Sequence, residues 1–172
     1  MYDYFKEVII YAAKKLVEND TILIDTKVKE ECINHKLALY IEEKIRAEEK
    51  IDFSSLDVDL EYDKRIEQSK KVDGRPIRPD ILVHQRKSGD KNNFVALEAK
   101  KDYWSRSDRR KIKKLVCENS FQYLLGCTIS YLPEKAYLLI RFFQKKTNNW
   151  LEIRYNKRPY EQHSYKLREM EE

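Results

Sequence analysis

Hydrophobic residues recur at helical spacing in two stretches near the start of the chain. Over residues 2–18 the apolar positions lie three or four residues apart, which predicts an amphipathic helix with one face turned to a core. Residues 27–49 repeat this pattern and predict a second helix. The short apolar run TILID at residues 21–25 separates the two, and we interpret it as an extended connector. The first helix carries no candidate chemistry and is interpreted as a packing element.

Strands are predicted downstream of these helices. Residues 56–63, LDVDLEYD, alternate apolar and acidic side chains, which is typical of a half-buried strand with a solvated acidic face. Two more strands, PDILVH at 79–84 and FVALEAK at 94–100, are joined by the polar turn RKSGDKNN, and this combination predicts a hairpin. Residues 64–77 are polar and contain a glycine and a proline, so we expect them to form a loop leading into the hairpin.

The rest of the chain predicts one more helix and further strands. The helix follows the hairpin, and either Ser107 or Asp108 can cap its N-terminus. The tail after Arg158 is expected to be solvated and partly frayed. The apolar runs between the helix and the tail predict strands at residues 121–132, 135–143 and 150–155.

Composition limits the class of protein. The chain has 172 residues, of which 41% are hydrophobic and 38% are charged, and this predicts one globular domain over residues 1–172 with an unusually charged surface. No apolar run approaches 18 residues and the N-terminus lacks a signal-peptide pattern, so we expect no association with a membrane. The three cysteines are odd in number and form no CxxC pair, which favours reduced thiols and a cytoplasmic location.

Charged residues stand at one end of the predicted hairpin. Asp80 opens its first strand, and Glu98 and Lys100 close its second strand two residues apart, so both leave the same face. Carboxylates beside apolar strands are costly unless a cation or hydrogen bonds accompany them. Mg²⁺ and Mn²⁺ are held by a few carboxylates with waters and phosphate oxygens, and a neighbouring lysine can orient an attacking water. A lone Glu-x-Lys is most often a surface ion pair, whereas the preceding Pro-Asp favours a functional site.

Pro79-Asp80 followed by Glu98-x-Lys100 resembles the active-site signature of the PD-(D/E)XK nuclease superfamily. The resemblance covers residues 26–143 and implies an α/β fold with a restriction-endonuclease-like core. In such a core, helices flank a mixed central β-sheet, and this chain would add an N-terminal helix. The resemblance also implies a Mg²⁺- or Mn²⁺-dependent phosphodiesterase, with DNA favoured over RNA as its substrate and endonuclease favoured over exonuclease activity.

The resemblance further implies a role for each residue that matches the motif. Asp80, Glu98 and the main-chain carbonyl of Ala99 would hold the metal ion. Lys100 would position or activate the attacking water. The motif is short and its superfamily is broad, so it implies phosphodiester hydrolysis without naming a specific substrate.

An acid on the second helix is a further candidate. Glu30 lies along the apolar stripe that contains Ile33, where a carboxylate is costly unless something inside needs it. Alternatively, Glu30 occupies the first helical turn, where the helix dipole favours acids. The spacing alone does not separate these two interpretations. The resemblance favours Glu30 as an outer catalytic acid that binds metal through water, with Glu31 as the alternative and Glu61 as a further acid beside the hairpin.

Basic residues cluster directly after the hairpin. The segment from Lys100 to Lys114 holds eight basic residues against two acids, whereas the whole chain has a net charge of only +5. A charge-rich helix is most often merely solvated, but its position beside the acid–lysine pattern favours contact with a phosphate backbone. Tyr103 and Trp104 would add stacking surface. The predicted nucleic-acid-binding residues are Arg78, Lys101, Arg106, Arg109, Arg110 and Lys113.

Two other functional classes compete with a nuclease. A non-catalytic nucleic-acid-binding or scaffold module on the same fold would bind through the basic residues without turnover. A protein-interaction subunit would instead use the basic helix to meet an acidic partner. For the nuclease, a homodimer is one expected arrangement, because cutting both strands of a duplex takes two sites.

Overall fold

Two helices, α1 (Tyr2–Asp25) and α2 (Glu30–Arg46), form the N-terminal part of the chain and pack against each other. Their apolar faces join one hydrophobic core with the adjoining face of a β-sheet. The computed structural model describes residues 1–26, 28–62, 64–65, 68–69, 71–72, 75–86, 92–157 and 168–170.

Both N-terminal helices differ from their predicted bounds. The predicted extended connector at residues 21–25 is wrong, because α1 continues through it with a single non-helical residue at Asp20. Ile24 is fully buried in this last part of α1, so core packing outweighs the weak helical preference of the β-branched run. The kink is held from α2, where the hydroxyl of Tyr40 donates to Oδ2 of Asp20 at 2.5 Å. Helix α2 begins at Glu30 and ends at Arg46, inside the predicted 27–49.

The strands are numbered in chain order. They are β1 (Asp57–Leu60), β2 (Lys64–Arg65), β3 (Gln68–Ser69), β4 (Lys71–Val72), β5 (Arg75–Pro76), β6 (Ile81–His84), β7 (Asn93–Lys100), β8 (Leu125–Ser130), β9 (Tyr137–Gln144), β10 (Asn149–Asn156) and β11 (Arg168–Met170). Among the described residues, seven of these strands form one sheet in the order β1-β6-β7-β8-β9-β10-β11.

The sheet is mixed. Strands β7 and β8 are parallel, and the other neighbouring pairs are antiparallel. Helix α3 (Arg106–Cys117) connects β7 to β8, as a parallel pair requires. The predicted α/β class is therefore confirmed. In the described residues no helix combines the length and apolar character needed to cross a membrane.

One prediction about irregular segments is wrong, and a second is tested only in part. The predicted loop at 64–77 contains two short antiparallel pairs, β2 with β3 and β4 with β5. Of the tail after Arg158, predicted to be solvated and partly frayed, the described residues 168–170 form β11 and pair with β10 at the edge of the sheet; the rest of this prediction lies outside the described residues. An open sheet edge offers unpaired N–H and C=O groups to any segment that can reach it, and local composition does not reveal this.

The sheet separates two cores. Helices α1 and α2 cover one face, where Val95, Leu97 and Ala99 of β7 are buried. Helix α3 covers the other face with a smaller core that includes Ala96. The predicted alternation along β7 is therefore confirmed, and its charged residues leave on the side that α3 covers.

Candidate active site

Asp80 and Glu98 lie side by side where β6 begins and β7 ends. Ile81 of β6 is paired with Leu97 of β7 in antiparallel register, so the positions just outside this pair face each other. Oδ2 of Asp80 accepts a hydrogen bond from the Ala99 N–H at 2.7 Å. This bond fixes the Asp80 carboxylate across the end of β7. Burial raises the pKa of Asp80 above its usual range, and the bond from Ala99 opposes that rise.

Glu98 is a charged side chain inside the sheet–helix layer, with only 4% of the residue exposed. Its pKa is raised to about 7, mainly by burial and also by the neighbouring Asp80 carboxylate. The opposing influence comes from α3, where Nζ of Lys111 lies 2.7 Å from Oε1 of Glu98. Glu98 is thus a carboxylate that needs a cation beside it to remain ionised at neutral pH.

Lys100 faces α3 as well. Its Nζ lies 3.2 Å from Oδ1 of Asp108. Asp108 is held in turn by a capping box with Ser105, whose N–H donates to Oδ2 of Asp108 at 2.7 Å. The predicted cap at Ser107 or Asp108 is therefore wrong by two or three residues, because Ser105 is the N-cap and Asp108 is the third helical residue. The capping box positions the acid that receives Lys100.

Glu30 reaches the same end of the sheet from α2. Its Oε2 accepts a hydrogen bond from the main-chain N–H of Lys101 at 2.8 Å. Burial raises the pKa of Glu30, the bond from Lys101 lowers it, and the Asp80 carboxylate raises it. Glu31 is exposed, so Glu30 is the helix acid that lies near the hairpin end. Glu30 is also the first residue of α2, where the helix dipole favours an acid, and its side chain is half-buried.

These side chains form a group in which carboxylates outnumber ammonium groups. Burial is the largest cause of the raised pKa values of Glu30, Asp80 and Glu98, and a neighbouring carboxylate adds to the rise at each of them. We call it the acid–lysine cluster; its acids are Glu30, Asp80, Glu98 and Asp108, and its lysines are Lys100 and Lys111.

The donor chemistry of the cluster fits a hard divalent cation. Mg²⁺ uses one or two carboxylates and fills its remaining positions with waters and substrate oxygens. Asp80, Glu98 and the carbonyl of Ala99 offer that kind of set at one strand end. In the part of the chain that the structure describes, no group of three or more His, Cys, Asp or Glu side chains is arranged to hold a metal ion.

The sequence predicts a solvated acidic face for β1, but one acid of this face is mostly buried and hydrogen-bonded. Asp59 has a side chain only 12% exposed, and its Oδ2 accepts hydrogen bonds from Nε2 of His84 and Nε of Arg86, each at 2.8 Å. Burial alone would raise the pKa of Asp59, but these two partners lower it. Glu61 remains exposed and pairs with Arg78 at 3.5 Å, outside the cluster.

The basic residues of α3 occupy different positions on the helix. Lys111 points inward to Glu98, whereas a second set lines a surface depression of about 290 Å³. Trp104 contributes no open stacking face, since its ring contacts Trp150 at 4.6 Å between centroids and two arginines lie over it. Tyr103 is 48% exposed and is the more open ring. The residues that line the depression are Arg106, Arg109, Arg110 and Lys113.

The sequence analysis missed Asp108 and Lys111 as members of the cluster, because Asp108 was considered only as a helix cap and Lys111 was counted only within the basic segment. The signal was present in their spacing. Glu98 and Lys100 stand two apart on a strand, and Asp108 and Lys111 stand three apart on the next helix, with charges of opposite sign. Each spacing places both members on one face of its element.

No family model matches this chain, and no curated protein is significantly similar to it.

The three cysteines form no disulfide: Cys32 and Cys117 are exposed, and Cys127 is buried.

Proposed function

We propose that this chain is a divalent-metal-dependent nuclease, with DNA as the favoured substrate, and that its sheet is a restriction-endonuclease-like core. The observation that carries the proposal is the meeting of Asp80, Glu98 and Ala99 at one strand end, with Lys100 on the same face. The antiparallel pairing of β6 with β7 brings these residues together. The order of helices and strands also supports such a core.

Asp80, Glu98 and the Ala99 carbonyl would hold Mg²⁺ or Mn²⁺ in this function. When bound, such an ion polarises a phosphoryl oxygen and lowers the pKa of water, so that a nucleophile is available near neutral pH. The protein contributes rigidity, because the Ala99 N–H holds the Asp80 carboxylate at 2.7 Å. It also contributes partial burial, which strengthens electrostatic interactions at the reacting phosphate.

Lys100 would orient the attacking water and stabilise the negative charge that develops on the phosphate. Asp108 keeps the lysine charged and directs its side chain along α3. Burial is the largest single influence on the pKa of Lys100 and lowers it, but the bond to Asp108 and the charges of the neighbouring carboxylates together raise this pKa above its usual value. Glu30 would act as an outer acid, because its carboxylate is already anchored by the Lys101 N–H beside the site.

The basic face of α3 would bind the phosphate backbone. Arg106, Arg109 or Arg110, and Lys113 follow one another at three- or four-residue spacing and line one depression beside the cluster. Positive side chains on one helix face can contact successive phosphates independently of sequence. Arg78 and Lys101 flank the strand ends and would extend this contact. Because such contacts are made with phosphates and not with bases, binding of low sequence specificity is expected.

Plasmid nicking tests the assignment. Wild-type protein is expected to nick supercoiled DNA with Mg²⁺ or Mn²⁺ and to stop when EDTA is added. Asp80→Asn and Lys100→Ala should each lower the rate by at least about 100-fold, since each removes a group that acts directly at the phosphate. Lys14→Ala, at an exposed position of α1, is the matched control and should keep the wild-type rate.

The same experiment separates the competing functions. Full activity in either site variant, with folding verified by circular dichroism, would refute the catalytic assignment. Salt-dependent binding without turnover by the wild-type protein would favour the non-catalytic nucleic-acid-binding or scaffold module. A panel of labelled single-stranded and double-stranded DNA and RNA, each with and without Mn²⁺, would identify the substrate class.

A further inference from the structure

Strand β7 and helix α3 carry two ion pairs of opposite polarity. Lys100 of β7 meets Asp108 of α3 at 3.2 Å, and Glu98 of β7 meets Lys111 of α3 at 2.7 Å. The Lys100–Asp108 pair is accounted for by the capping box, which keeps the lysine in place. The Glu98–Lys111 pair has a different consequence, because Glu98 is one of the carboxylates that would receive a metal ion.

Lys111 supplies the positive charge that the buried Glu98 carboxylate requires. The Glu98 side chain is 5% exposed, and the Lys111 side chain is 27% exposed, so the lysine reaches in from the solvent side. A second contact steadies its ammonium, which donates to the Arg78 carbonyl at 3.4 Å. An ionised carboxylate at this depth is stable only with a counter-charge.

A divalent ion held by Asp80 and Glu98 would supply the same counter-charge from the other side. The ion and the Lys111 ammonium would then approach one carboxylate together, and two cations that share a partly buried site repel each other strongly. A lysine resolves this conflict readily, since its flexible stem lets the ammonium swing outward without any movement of α3.

We propose that Lys111 is a positioning residue that holds Glu98 in place of the divalent ion and competes with that ion for the Glu98 carboxylate. This inference rests on the proposed metal-dependent function. It explains why a buried carboxylate keeps its place at the strand end before metal binds. It also predicts that Lys111 lowers the affinity of the site for the divalent ion, because metal binding has to displace the ammonium group from Glu98.

Lys111→Met tests the competition, because methionine retains the apolar stem and removes the charge. Mn²⁺ affinity is measured at pH 8 by isothermal titration calorimetry on the full chain without nucleic acid. The variant is expected to bind Mn²⁺ about tenfold more tightly than wild type, as the loss of one repelling charge implies. Its melting temperature without metal should be lower than that of wild type, and Mn²⁺ should raise it by more.

Lys114→Met is the matched control. Lys114 stands on the same helix and pairs with Glu118 at 3.7 Å, away from the cluster, so its loss should leave Mn²⁺ affinity unchanged. If Lys111→Met does not fold, Lys111→Gln keeps a donor for Glu98 and should still bind Mn²⁺ more tightly than wild type.

A purely structural Lys111 would give a different result, namely a lower melting temperature with the wild-type Mn²⁺ affinity, and that result would overturn the competition. Weaker Mn²⁺ binding by the variant would overturn it equally. If neither wild type nor the variants bind Mn²⁺, the proposed metal-dependent function itself fails, and the inference about Lys111 fails with it.

Discussion

At the scale of single residues, the environment of Glu98 determines the character of the site. Burial is the largest cause of its raised pKa of about 7, and Asp80 adds to it. In the unfolded chain a glutamate titrates near about 4.3. The folded state therefore binds a proton at Glu98 more tightly than the unfolded state does between these two values. Stability is consequently lost as the pH rises through this window.

Glu98→Gln should remove this pH dependence. In the absence of metal, we compare the free energy of unfolding of the variant with that of wild type. The difference in favour of the variant is expected to grow by up to about 3 kcal/mol between pH 5 and pH 8, since one pKa unit corresponds to about 1.4 kcal/mol. Thermal melts at several pH values measure the difference. A pH-independent difference for Glu98→Gln would contradict the assigned burial cost.

At the scale of elements, the contact between α3 and β8 sets where the helix charges fall. Gly126 of β8 lies opposite Ala96 of β7 in the sheet and directly beneath α3. A Cβ added at Gly126 would lie 2.5 Å from Cγ2 of Ile112 and 2.8 Å from Cγ2 of Val116. Both neighbours are β-branched and stiff, so the helix itself would have to move. Asp108 and Lys111 would move with it.

Gly126→Ala should therefore destabilise the protein by about 1–3 kcal/mol, the usual cost of overpacking a close contact. Chemical denaturation measures the change in the free energy of unfolding. Combining it with Ile112→Ala, which removes the nearest methyl, should cost less than the sum of the two single changes. Strict additivity of the two changes in the free energy of unfolding would contradict a close contact between position 126 and Ile112.

At the scale of the whole molecule, charge is segregated. The acid–lysine cluster lies beneath the N-terminal half of α3, while the exposed face of the same helix is basic. Helix α1 lies on the opposite side of the sheet and serves the larger core. A nucleic acid that approaches the cluster would therefore meet α3 and not α1, and the net charge of +5 understates this asymmetry.

Arg106→Gln combined with Arg110→Gln should weaken DNA binding and reduce its dependence on salt. Each lost phosphate contact is expected to lower the slope of log K against log salt by about 0.9 on a duplex. Fluorescence anisotropy in EDTA measures binding without cleavage. The double variant Lys14→Gln and Lys15→Gln on α1 removes the same charge and should leave the slope unchanged. An equal effect of both double variants would place the DNA elsewhere.

The candidate site was predictable to the extent that it depends on neighbours along the chain. Asp80, Glu98 and Lys100 share a hairpin, so strand alternation and a short turn were sufficient to predict that they meet. The bond from Lys101 to Glu30 spans 71 residues, and no local pattern predicts which acid of α2 makes it. The pairing of Lys111 with Glu98 and of Asp108 with Lys100 was likewise not predicted, because helix periodicity does not reveal which strand a helix face will pack against.

The sequence by itself determined which residues share a face, because the periods of helix and strand follow from backbone geometry. It thereby determined the apolar sides of α1, α2 and α3 and the charged side of β7. Only the tertiary structure decided the order of the sheet, the continuation of α1 past Asp20 and the pairing of α3 with β7. The pKa of Glu98 belongs to the same class, since burial and neighbouring charges exist only after distant segments have packed together.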